Sequence, residues 1–237
     1  MKRGNSVSLG DTSSIATNAE KILSFYKQLK PLFSTGKGVE IMNPFEAEYS
    51  WSLTRSFYTA YYNDKLPRKM IFGINPGRFG GGVTGIPFTD PIRLEESCGI
   101  KNACKKQAEL SSVFIYKVIE AYGGPPAFYR DFFVTALSPL GFTKEGINLN
   151  YYDDNDLLTA SEPFIIECLE KQMHLFPSDS CYCLGEGMNY KFFDKINKKK
   201  NYFRKIIALP HPRWIMQYRR KKIDEFVDLY IKKLRNE

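Results

Sequence analysis

Four short apolar runs, each closed by a glycine or proline turn, constrain this chain most: 69–74, 131–137, 180–184 and 205–209. Their centres are apolar throughout rather than alternating, as in Met70-Ile71-Phe72, Phe132-Phe133-Val134 and Cys181-Tyr182-Cys183-Leu184. Continuously apolar strands are buried on both faces, a pattern of parallel sheets sandwiched between helices. Stretches of helical period separate them. Ile15, Ala19, Ile22, Leu23, Tyr26 and Leu29 predict a helix that Pro31 ends, and the aromatic stretch Trp51–Tyr62 a second. A long helix is expected over 101–122, stopped by Gly123-Gly124-Pro125-Pro126, and another over 162–176 with Ser161 as N-cap and Pro163 in its first turn. A short helix follows Gly187, and Ile223, Phe226, Val227, Tyr230, Ile231 and Leu234 mark the last. Segments 31–49, 89–100 and 141–158 read as loop. The expected fold is α/β, three layers αβα around a central four-stranded parallel sheet. Residues 1–14 read as a disordered N-terminal segment and 15–237 as a single domain without repeats.

In such sheets the loops after the strands gather at the carboxyl edge, where ligands bind. That rule brings Asn75, Ser138, Glu186 and His211 to one crevice. The loop after the first run is the most unusual. Asn75-Pro76-Gly77 forces a tight turn, and five glycines lie between Gly77 and Gly85. So many glycines carry an entropic cost unless a ligand must come close to the backbone.

Much chemistry is excluded. No G-x-G-x-x-G opens at the end of the first run, where Gly73 is followed two residues on by Asn75, and there is no G-K-[ST] and no G-x-S-x-G. Only two histidines, His174 and His211, are present, too few for a multi-histidine metal site. The cysteines Cys98, Cys104, Cys168, Cys181 and Cys183 form no C-x-x-C pair, so no metal and no cofactor is expected. An odd cysteine number, with no apolar segment after Met1-Lys2-Arg3, predicts reduced thiols and a cytoplasmic protein. The net charge of +8 favours a polyanionic partner, nucleic acid ahead of an anionic membrane surface. Lys198-Lys199-Lys200 and Arg219-Arg220-Lys221-Lys222 read either as phosphate contacts or as solvated faces.

Three motifs in order carry a resemblance: Gly73-Ile74-Asn75-Pro76-Gly77, Thr84-Gly85-Ile86-Pro87-Phe88 and Leu209-Pro210-His211-Pro212-Arg213. Together they resemble the uracil-DNA glycosylase superfamily, and within it a bacterial-type variant of the single-strand-selective monofunctional branch. The resemblance implies a monomeric DNA repair hydrolase of base excision repair, acting on single- or double-stranded DNA that contains deaminated bases and needing no membrane. The damaged base is flipped out and its N-glycosidic bond cleaved. In that family Asn75 matches the residue that holds the attacking water. His211 matches the donor to the base O2, and Phe88 the ring that stacks on the base. Ile74, Pro76, Gly77, Phe79, Thr135, Ala136 and Ser138 would surround the base. Arg78, Pro212, Arg213 and Trp214 would meet DNA, with Arg213 and Trp214 in the region that wedges into the gap.

Two features depart from the family: the histidine motif His211-Pro212-Arg213 is shorter than the usual H-P-S-P-R, and one position at the base differs. The asparagine that reads the uracil edge is here Ala136, which cannot make paired hydrogen bonds. Either Thr135, Ser138 or a backbone amide substitutes, or the site accepts other deaminated bases such as hypoxanthine and xanthine. On residue chemistry alone each position has a plainer reading. Asn75 suits any tight turn, Phe88 any core, His211 any loop, and Trp214 can anchor the last helix. His174, mid-helix among apolar neighbours, reads as structural. Two other functions also fit, an idle nucleic-acid-binding module and a hydrolase of free nucleosides or nucleotides. The pairing of Asn75 with His211 argues against the first, and the basic charge against the second.

Overall fold

The sheet forms as the apolar runs require. In the computed structural model, which describes residues 16–36 and 38–235, seven strands and ten α-helices follow one another. The first part of the chain holds α1 (Asn18–Lys27), β1 (Val39–Met42), α2 (Glu48–Tyr62), β2 (Lys69–Gly73), α3 (Gly81–Thr84), α4 (Pro91–Glu96) and α5 (Leu110–Tyr122). Next come α6 (Gly124–Asp131), β3 (Phe132–Ala136), β4 (Gly141–Lys144), β5 (Ile147–Leu149) and α7 (Asn155–Leu175). The chain continues through β6 (Ser180–Leu184), α8 (Met188–Lys200), β7 (Lys205–Leu209), α9 (Pro212–Tyr218) and α10 (Ile223–Arg235). The expectation for 1–14 lies outside the described residues.

Strands β3-β2-β6-β7 pair in that order, all parallel. Their alternation sends neighbouring side chains to opposite faces. Phe72 and Phe133 share one face, where they meet Phe193 of α8 at 5.2 Å and Phe176 at the end of α7 at 5.0 Å. Phe132 and Tyr182 share the other. There Phe132 packs on Phe128 of α6 at 5.1 Å, and the Tyr182 hydroxyl donates to the Lys233 carbonyl of α10 at 3.1 Å. Both faces are thus covered, as continuous apolar strands demand.

Several local expectations need correction. Segment 141–158 is not loop, because β4 and β5 form a hairpin that β1 extends into a three-stranded antiparallel sheet. Segment 31–49 accordingly contains β1. Polar, short edge strands carry little local signal and are stabilised by a partner about a hundred positions away. The helix expected at 162 starts at Asn155, capped by Asp154, whose side chain accepts from Asp156 and Leu157 N–H groups. Ser161 and Pro163 therefore lie inside it. Segment 89–100 contains α4, capped by Asp90 with Pro91 in its first turn. The helix placed over 101–122 begins only at Leu110. The Gly123-Gly124-Pro125-Pro126 stop also opens α6, whose first turn tolerates proline because its N–H groups need no helical partner.

Candidate active site

Residues distant in sequence meet at the carboxyl edge of the parallel sheet. One crevice is lined by Ile74, Asn75, Pro76 and Gly77 from the loop after β2, by Phe88, by Ala136 at the end of β3, and by His211 and Arg213 after β7. The antiparallel sheet closes one wall through Asn148 and Asn150.

Asn75 is held at both ends of its amide. Its Nδ2 donates to the Leu149 carbonyl at 3.0 Å, and its Oδ1 accepts the Tyr151 N–H at 3.1 Å. The hairpin that sequence reasoning missed therefore orients this side chain. With Nδ2 engaged, the second lone pair of Oδ1 is the group left to hold a water.

His211 is the N-cap of α9, and its Nδ1 accepts the Arg213 N–H at 3.1 Å. A ring nitrogen that accepts carries no proton, so the neutral ring bears its hydrogen on Nε2. Burial, and then the Arg213 charge, bring its pKa down to about 4. The ring is thus a neutral donor throughout the physiological range.

Phe88 sits at φ 53°, a left-handed conformation that bulky residues rarely adopt. That backbone directs its ring over Gly73, where a Cβ would lie 2.7 Å from the ring, and to a centroid distance of 6.4 Å from His211. Glycine at 73 is a requirement of this close approach. Backbone strain of this kind concentrates where a ring must be aimed at a ligand.

The other expected site residues divide. Ala136 lines the crevice with its methyl group. Thr135 and Ser138 do not reach it. The Thr135 hydroxyl is bound to Gln172 Oε1 of α7, and the Ser138 hydroxyl donates to the Leu140 carbonyl at 2.7 Å. Strand alternation turns Thr135 to the face opposite Ala136, and Ser138 is consumed by its own turn. Phe79 lies in an adjoining cleft with Arg78, Glu109 and Arg213, not in the crevice itself. There the Arg78 guanidinium covers the Phe79 ring at 4.3 Å, and its backbone N–H donates to Asn148 Oδ1 at 2.9 Å.

Pro212 is buried at the start of α9, while Arg213 is exposed at the mouth. Trp214, 38% exposed, stands edge-on to Phe226 of α10 at 6.0 Å beneath the Arg219 guanidinium. It borders a neighbouring hollow with Glu186, which shares Ile74 and His211 with the crevice. Neither basic run lines the crevice. Lys198 pairs with Asp194 at 2.7 Å and Lys222 with Glu225 at 3.1 Å. His174 Nδ1 meets the Glu170 carbonyl at 2.7 Å on the surface of α7.

Glu109, Ser111, Asn148 and Asn150 were missed. The signal for the first pair was faint, a polar step before the apolar period of α5. The signal for the second was the alternation Asn148-Leu149-Asn150.

The arrangement offers a bound-water acceptor, a neutral N–H donor and an aromatic slab around one crevice. Comparisons with known proteins point to one family. A single-strand selective monofunctional uracil DNA glycosylase from Bos taurus is 29% identical over 118 residues, 42% of either chain. One from Rattus norvegicus is 30% identical over 132 residues, 48% of this chain and 46% of that one. The chain thus matches less than half the length of these curated relatives. A crystal structure of Pedobacter heparinus SMUG2 superposes with a TM-score of 0.90 at 46% identity, covering 94% of this chain and all of that one. The family model for the uracil DNA glycosylase superfamily matches residues 59–235, which take in every strand of the parallel sheet and all three motifs. With fold, motif order and sequence in agreement, this chain belongs to the uracil-DNA glycosylase superfamily.

Proposed function

We propose that this protein is a monofunctional DNA glycosylase that removes uracil from DNA in base excision repair, and that hypoxanthine and xanthine are also substrates. The observation that carries the reading is the facing of Asn75 Oδ1 and a neutral His211 across one crevice beside Phe88. Cleavage of an N-glycosidic bond leaves negative charge on the base and positive charge on the sugar. A preorganised donor aimed at the base carbonyl stabilises that charge as it develops. His211 acts as that hydrogen-bond donor through Nε2–H. It does not act as an imidazolium acid, because the ring stays neutral down to about pH 4. Asn75 holds the water that completes hydrolysis, Phe88 stacks on the flipped base, and Arg78 and Arg213 meet the phosphates.

Ala136 supports the broader base range. A methyl group there discriminates by shape alone, and a hydrophobic wall rejects wrong substrates far less strongly than a wall built to hydrogen-bond one. The test is incubation with single-stranded oligonucleotides carrying one uracil, hypoxanthine or xanthine, followed by alkali. Strand scission at the lesion is expected for all three. No scission with any of them refutes the function, and scission with uracil alone refutes the broader range.

A further inference from the structure

Hydrolysis with water releases a proton, and neither expected catalytic residue accepts it. The Asn75 amide is not basic at neutral pH. His211 has one ring nitrogen bound to the Arg213 N–H and the other already protonated. A third titratable side chain, Glu109, lines the same crevice.

Glu109 is the N-cap residue of α5, yet its side chain makes no capping hydrogen bond. The carboxylate turns instead onto the glycine loop and fills the space that a Cβ at Gly77 or Gly80 would require. It borders both the crevice with Asn75 and the adjoining cleft with Arg78 and Arg213. Among the described residues it accepts no hydrogen bond, so its lone pairs are open to the crevice. Its place is fixed from behind. Fully buried Asp90 accepts the Glu109 N–H at 2.9 Å with one carboxylate oxygen and caps α4 with the other, taking Ile92 and Arg93 N–H groups at 3.0 and 2.9 Å.

Resting on the glycosylase reading, we propose that Glu109 is a catalytic residue, the acceptor of the proton lost by the water that Asn75 holds. The C1′–N bond breaks and its electron pair leaves with the base. The water oxygen bonds to C1′, and one of its protons passes to the Glu109 carboxylate, which returns it to solvent through the adjoining cleft. The departing base anion takes a proton from solvent. Until the water adds, the ionised carboxylate also opposes the positive charge on the sugar. The bare loop at Gly77 and Gly80 gives the carboxylate room to lie this close.

The surroundings suit that task. Burial, and then Asp90 from α4, push the Glu109 pKa up to about 7, while Arg213 from α9 works against the rise. Arg78, on the glycine loop, faces the same cleft, His211 across the crevice is neutral, and the Asp90 charge is shared with Arg93 at 3.5 Å. A base poised near neutrality is ionised in use yet able to hold a proton.

The test is single-turnover release of uracil from single-stranded DNA by the full chain between pH 5.5 and 9. The parent rate is expected to climb with pH through about 7 and then level. Glu109→Gln should be slower by about 10²-fold or more at pH 8, with a flat profile, while its binding to uracil-free DNA is no weaker than the parent's. Glu109→Asp should keep the climb at a reduced rate. A Gln variant within threefold of the parent overturns the proposal, as does a Gln variant that retains the climb. A parent profile that is flat from pH 6 to 8.5 also overturns it, whatever the variants do. A parent that releases no uracil at any pH refutes the glycosylase reading itself, so the two failures are distinct.

Discussion

Replacing Glu109 by glutamine should make the protein more stable in alkali while making it a poorer enzyme. Its carboxyl is pushed from an ordinary 4.5 to about 7, because burial and Asp90 disfavour the charged form. Below pH 4.5 the carboxyl is protonated in both folded and unfolded chains, and its ionisation costs the fold nothing. Between 4.5 and 7 the folded chain binds more protons than the unfolded one, so stability falls as pH rises. Above 7 the full cost persists. At about 1.4 kcal/mol per pH unit, the cost reaches roughly 3 kcal/mol. Glutamine keeps the shape without the charge and escapes it. The variant should therefore gain up to about 3 kcal/mol over the parent at pH 8, a rise in melting temperature of up to about 6–12 °C for a chain this size. Near pH 5 the two should differ little. Urea or thermal unfolding of both proteins at pH 5 and pH 8 measures this. A Gln variant with no greater advantage at pH 8 than at pH 5 would mean the carboxylate is not destabilised where it lies. Carboxylates kept at such a cost are found where chemistry uses them.

Other expectations follow from the same geometry. His211→Ala and Asn75→Ala should each slow single-turnover uracil release by about 10²-fold or more, the loss typical of one preorganised donor, and rates within a few-fold of the parent would remove that residue from its role. Ala136→Asn should sharpen preference for uracil over hypoxanthine and xanthine, measured as the ratio of excision rates, and an unchanged ratio would count against the placement of Ala136 at the base edge. Asp90→Ala should destabilise the fold by about 3 kcal/mol or more in urea melts, because it strands the Glu109, Ile92 and Arg93 N–H groups in a buried site. Binding to uracil-free DNA should weaken steeply with salt, and Arg213→Ala should lower the slope of that dependence by about one.

How much of this was legible beforehand varies with the range of the interaction. Strand β6 and strand β7 begin and end where their apolar runs do, since burial on both faces leaves an uninterrupted apolar signature. The Asn75 turn and the proline-flanked break at His211 were visible as well, because proline and glycine constrain their own backbone; that His211 caps α9 was not. The hairpin β4–β5 was not, as its polar strands are stabilised by pairing with β1 rather than by composition. Thr135 was placed at the base by its proximity to Ala136, but the pleat of β3 and the reach of Gln172 take its hydroxyl elsewhere.

The chain's own order of residues settled the parallel α/β sheet, the carboxyl-edge crevice and the three motifs. These depend on local conformational limits and on the apolar content of single segments. Which amide oxygen faces the crevice, which imidazole nitrogen keeps its hydrogen and where the unpartnered carboxylate lies were decided only in three dimensions. Each depends on a neighbour from a remote element: Leu149 and Tyr151 for Asn75, the turn of α9 for His211, and Asp90 with the glycine loop for Glu109. Hydrogen-bond direction and desolvation are properties of the packed neighbourhood, and no reading along the polypeptide contains that neighbourhood.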